Sequence, residues 1–192
     1  MAARGERNWI EITVAVAALV VSGISLWVGV RTEVANQQMV AATTWPVLVY
    51  TSSDALPSQE GPVTAMSLTN GGVGPAKVET LELFYRGQPM RSAAAFLRRC
   101  CGLKRSGSTD PRYALSTPAS ALLRAGQSVN FIMMTDTPAY TEWAKKLFAA
   151  SNAVDLRACY CSVLNRCWVS DLHTLNPAPV DHCPVPRVPY RG

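Results

Sequence analysis

The chain has 192 residues and a net charge of +5, with 48% apolar and 16% charged residues. Setting aside one apolar stretch near the N-terminus leaves about 150 residues, enough for one hydrophobic core and too few for two comfortable domains. Arg4 and Arg7 cancel Glu6 and Glu11, so all of the net charge falls beyond that stretch, which suits anionic partners.

The apolar stretch is Ile10 to Val30, IEITVAVAALVVSGISLWVGV, with no charged residue after Glu11. About 20 apolar residues at 1.5 Å each match a hydrocarbon core of about 30 Å. A helix is the form that satisfies its own backbone at that depth. Trp9 and Trp27 lie near its two ends, where indoles favour the membrane boundary. A cleaved secretory signal is shorter and ends on small residues; Leu26-Trp27-Val28-Gly29-Val30 offers a poor cleavage site, so an uncut signal anchor is expected. Arg4 and Arg7 precede the span and Arg31 follows it. That bias predicts a cytoplasmic N-terminus and a C-terminal portion on the far side of the membrane. Nucleic acid is not expected as a partner there. Ala15, Ala18, Ser22, Ser25 and Gly29 recur at steps of three and four. Small residues on one face let membrane helices approach, so this face is the expected place for self-association or for docking another helix.

Val30, Val34 and Ala41 carry the helical period past the span, predicting a stalk. Trp45-Pro46 ends it. Val47 to Thr51 and Val63 to Thr69 read as strands, separated by the polar loop Asp54 to Pro62. Asn70-Gly71-Gly72-Val73-Gly74-Pro75-Ala76 is the most structured turn signal in the chain. Val78 to Tyr85 follows as a strand with Leu81, Leu83 and Tyr85 on one face, closed by Arg86-Gly87-Gln88-Pro89.

Leu68, Asn70, Gly72, Gly74, Pro75, Ala76 and Val78 form an Asn-x-Gly-x-Gly-Pro-Ala turn between two apolar strands. Leu122 to Met134 adds a loop and strand around Ala125-Gly126-Gln127. Together these residues resemble bacterial extracytoplasmic Ig-like, CARDB-like modules. The resemblance covers about half of the outer portion and implies a β-sandwich that binds or scaffolds, with no catalytic residues to carry over. A helical insert and six cysteines depart from the simple pattern.

Ser92 to Leu103 reads as a helix ending at Gly102. Arg98, Arg99, Lys104, Arg105 and Arg112 make the strongest basic cluster in the chain, facing only Asp110 nearby in sequence. It is a candidate patch for an anionic envelope component or a partner protein, although solvated loop charge is the commoner meaning of such runs. Tyr140 to Ala150, after Thr137 as N-cap and Pro138, reads as a helix with Tyr140, Trp143, Ala144, Leu147 and Phe148 on one face. Ala153 to Val163 and Cys167 to Leu172 form a hairpin around Leu164-Asn165-Arg166. The Pro-rich residues 176–192 are expected to run extended over the surface or to be disordered.

Cys100, Cys101, Cys159, Cys161, Cys167 and Cys183 all follow the anchor. An even number in an exported domain reads as disulfides. The hairpin brings Cys161 and Cys167 within bridging reach. Cys159 and Cys161, two apart on a strand, share a face and are not expected to bond each other. Adjacent Cys100 and Cys101 on a helix should each bond a distant partner, Cys159 and Cys183 being the candidates. A metal site built from Cys159, Cys161, Cys167 and Cys183 with His173 and His182 has the wrong spacing for zinc, though soft thiolates suit Cu(I). No C-x-x-C is present to lower a thiol pKa.

None of the nucleophile-elbow, zinc-protease, P-loop or dinucleotide motifs occurs, and a hydrolase on His173 and Asp171 has no spacing in its favour. Residues 1–8 are therefore expected to be cytoplasmic, 9–30 a membrane helix, 31–44 a helical stalk, 45–175 a mainly β, disulfide-linked Ig-like sandwich with two helical inserts, and 176–192 a tail. The expected role is non-catalytic binding or scaffolding, without a cofactor. An envelope-tethered inhibitor or immunity-type protein, and a Cys-based metal or redox protein, are the alternatives.

Overall fold

The computed structural model describes residues 3–54, 63–103, 113–135 and 140–191. It divides into two units at Thr43/Thr44. The first is one helix, α1 (Ala3–Thr43), of 41 residues. Expected span and stalk are thus continuous. Its most apolar window has a mean hydropathy of 2.2 and is unburied, and α1 is long and apolar enough to cross a membrane. Three hydroxyls within it are satisfied locally: Thr13 donates to Trp9 O, Ser25 to Val21 O at 2.8 Å and Thr32 to Val28 O at 2.9 Å. This is the usual way a polar side chain is accommodated on an apolar helix.

The second unit holds two sheets. One is β1 (Leu48–Ser53), β2 (Val63–Asn70), β7 (Ser128–Thr135) and β5 (Tyr113–Leu115), in the order β1-β2-β7-β5. The other runs β10 (Ala178–Val180), β9 (Cys167–Ser170), β8 (Val154–Cys161), β3 (Ala76–Tyr85) and β4 (Gln88–Met90), with β6 (Leu122–Leu123) also on β3. Every pairing is antiparallel. Leu48, Met66, Leu68, Phe131 and Ile132 from the first sheet and Val78, Leu81, Leu83, Leu156 and Tyr160 from the second share one buried cluster. Leu81, Leu83 and Tyr85 share the inner face, as the alternation in β3 predicts.

Helices α2 (Ala93–Cys101) and α3 (Tyr140–Ser151) pack together and cover this cluster with Phe96, Leu97, Trp143, Leu147 and Ala150. Ser92 caps α2 by accepting from Ala95 N, and Gly102 ends it in the left-handed conformation, which glycine adopts at little cost. Phe148, expected on the inner face of α3, is instead 64% exposed. It adjoins buried Leu147 and so lies off the stripe that carries Trp143, Leu147 and Ala150. About a third of the chain is helix and a third strand, a larger helical share than a mainly β chain has, because α1 alone supplies 41 residues.

The tail is ordered rather than loose. β10 pairs with β9, Tyr190 N donates to Leu81 O at 2.9 Å, and Arg191 N to Arg91 O at 2.7 Å. Tyr190 is 2% exposed, its ring edge-on to Phe131 at 6.1 Å.

Candidate functional site

The Asn70 turn gathers the chain segments at one end of the second unit. Asn70 is fully buried. Its Nδ2 donates to Gly74 O at 2.8 Å and Leu123 O at 3.0 Å, and its Oδ1 accepts from Gly72 N at 3.0 Å and Val47 N at 3.3 Å. Gly71 N donates to Val47 O, and Val73 and Gly74 N to Trp45 O. A Cβ on Gly72 would fall 2.4 Å from Val47 N, and one on Gly74 2.2 Å from the Thr44 carbonyl. Both positions therefore need glycine because backbone passes against backbone, which composition alone does not reveal.

The six cysteines form three bridges, Cys100–Cys101, Cys159–Cys183 and Cys161–Cys167. The hairpin pair is the one its turn favours. Cys100 and Cys101 do not reach distant partners. They bond each other at the last turn of α2, which packs on α3 and β4, while Cys159 is taken by Cys183. Cys161 Sγ lies 3.9 Å from Cys183 Sγ, and the sulfurs of Cys161, Cys167 and Cys183 fall within 4.8 Å of one another. The histidines do not join this group: the His173 ring meets Tyr50 edge-on at 6.2 Å. Asp171 Oδ1 accepts from the N–H groups of His173 and Thr174 and from the Thr174 hydroxyl. These bonds, chiefly the Thr174 N–H, hold its carboxyl below the usual range, so Asp171 shapes its own turn.

Of the basic cluster, Lys104, Arg105 and Arg112 lie outside the described residues. Arg98 and Arg99 are exposed in the last turn of α2, where the helix dipole favours cations. With Arg91, Ser92 and Pro89 they line a shallow depression of about 610 Å³. Arg91, absent from the sequence-level patch, belongs to this face because β4 turns back beside α2. A second hollow, of about 500 Å³, lies on the outer face of the second sheet between Glu82, Phe84, Arg157 and the tail residues Val185 and Arg187; it exists only because the tail is held there.

The small residues of α1, Ala15, Ala18, Ser22, Ser25 and Gly29, are all exposed. A Cβ on Gly23 or Gly29 would meet nothing within 4 Å. Arg31 lies over the Trp27 ring at 5.6 Å. No family model, curated protein or solved structure matches this chain.

Proposed function

We propose that the chain is a non-catalytic, single-pass membrane protein of a bacterial inner membrane, its N-terminus cytoplasmic. Its second unit is an Ig-like β-sandwich that binds or scaffolds in the periplasm, as a small subunit of an envelope complex. The observation that carries this reading is the union of a 41-residue helix, which holds an unburied apolar stretch, with a unit in which all six cysteines are bridged. Bridges of this kind persist where the compartment is oxidising, and the apolar helix supplies the route by which such a unit stays tethered. The Arg91, Arg98 and Arg99 face supports an anionic partner, either an acidic protein surface or an envelope polymer.

Two experiments test it. A periplasm-dependent reporter fused to the C-terminus should be active, and activity of a cytosol-dependent one alone would overturn the orientation and the role. In-cell cross-linking followed by affinity purification should recover an envelope protein with the wild type and recover it poorly with Arg98→Glu/Arg99→Glu. The closeness of the Cys161, Cys167 and Cys183 sulfurs would serve a second reading, a metal-binding or redox protein, only with the bridges reduced. Thiol counting on unreduced protein separates the two, since labelling of all six cysteines would favour the second.

A further inference from the structure

The strand registers place four loops at one end of the second unit. Leu48 pairs with Asn70, Thr69 with Ser128, Ala76 with Leu123, and Cys161 with both Lys77 and Cys167. Residues 44–47, 70–75, 121–127 and 162–166 therefore meet there. Among the described residues of this unit eight large apolar side chains are exposed. Five of them, Trp45, Val73, Leu122, Val163 and Leu164, stand on these four loops or the short β6 strand within them. The loops carry no Asp or Glu, and they carry Arg124 and Arg166. Lys77 beside them is paired with Glu79 at 2.7 Å, and Asp181 shares a hollow with Arg166.

Soluble surfaces seldom collect apolar side chains in one place without a use for them. Chain connectivity says what that use is. This is the end that receives the chain from α1, through Arg31–Thr43, a run of about 20 Å at 1.5 Å per residue. That run carries no charge after Glu33, and none follows before Asp54. It exposes Val34, Met39 and Val40. An uncharged, partly apolar run has little to lose by lying in the headgroup layer.

We propose that this end of the second unit seats on the bilayer surface. Trp45, Val73, Leu122, Val163 and Leu164 enter the headgroup–acyl boundary, where an indole is at home, and Arg124 and Arg166 meet anionic headgroups. This rests on reading α1 as a membrane span. Helices α2 and α3 and the arginine face belong to the other end of the unit.

The test uses the full chain in vesicles of phosphatidylethanolamine and phosphatidylglycerol, with the photo-cross-linker benzoylphenylalanine placed at residue 164, 73 or, as a control, 148. Lipid adducts at 164 and 73 should exceed those at 148 several-fold, and Arg124→Glu/Arg166→Glu should lower them. Equal lipid adducts at all three positions, no lipid adduct at 164 and 73, or an adduct there to a second copy of the chain overturns the proposal. Extraction of the same vesicles with alkaline carbonate keeps the two readings apart: release of the protein sinks the span itself, whereas retention without lipid adducts sinks only the seated end.

Discussion

The two ends of the second unit are closed by different means. At one end α2 and α3 lie over the core, and Phe96, Leu97, Trp143 and Leu147 are buried beneath their exposed arginines and lysines. At the other end three of the four loops are pinned by the hydrogen bonds of one asparagine, and the apolar side chains of all four remain uncovered. The first end spends its apolar residues on its own stability. The second holds its loops with polar bonds and leaves the apolar atoms outside, which is the arrangement expected where a surface has work to do on something apolar.

The sharpest way to break this comparison is at the pinning residue. Asn70→Ala would leave Gly74 and Leu123 carbonyls and the Gly72 and Val47 N–H groups short of partners, at about 1–3 kcal/mol for each group left buried. We expect a loss of at least about 4 kcal/mol, read by denaturant unfolding, several times the effect of Asn165→Ala on an exposed hairpin. A loss under about 1 kcal/mol would mean the loops are held by their own backbone bonds.

Opening the tail comes next. Cys159→Ser/Cys183→Ser removes a bridge across 24 residues of sequence, worth about 3 kcal/mol on loop entropy. The Tyr190 amide should then exchange with solvent far faster. Unchanged exchange would show that Tyr190 packing alone retains the tail.

Alkaline titration probes the same core more gently. Burial pushes Tyr190 up to about 12, offset in part by the Ala93 backbone, and Tyr50 up to about 12, offset in part by Ser52. In an unfolded chain a tyrosine loses its proton near pH 10. The folded state therefore holds protons that the unfolded state has released, and stability falls between about pH 10 and 12 while staying flat near neutrality. Thermal unfolding of Tyr190→Phe should show a shallower alkaline decline than the wild type; an identical decline would place the titration elsewhere.

The smallest effects on stability are expected at the two exposed surfaces. Leu164→Glu should change the unfolding free energy by no more than about 0.5 kcal/mol, and Arg98→Glu/Arg99→Glu, which reverses two charges at the C-terminus of α2, by about 1–2 kcal/mol. The first should weaken vesicle contact, and the second recovery of an anionic partner. If either exchange destabilised the fold strongly, that surface would be structural.

How much of this could be read beforehand depends on range. Local signals were legible: Ser92 and Gly102 mark the ends of α2, alternation marks β3, and the hairpin tip brings Cys161 opposite Cys167. The apolar run of α1 announces itself by length. Strands of two or three residues, β4, β6 and β10, carry too little pattern to register and exist through their neighbours. Tyr190 looks like any residue of a Pro-rich tail until Leu81 and Phe131 are placed beside it. The Cys100–Cys101 pair escaped for a related reason. Ruling out distant partners requires knowing that Cys159 and Cys183 already hold each other. The Asn70 turn was visible as a turn, but its role as a knot between three segments is a three-dimensional fact.

Tyr190 also constrains biogenesis. Leu81 and Phe131 receive it from far along the chain, so that hole stays open until the tail has been synthesised. Until then the unit has an open flank and an unclaimed Cys159. Expression truncations that stop short of residue 183 should accordingly yield a degraded product, however sound the preceding strands.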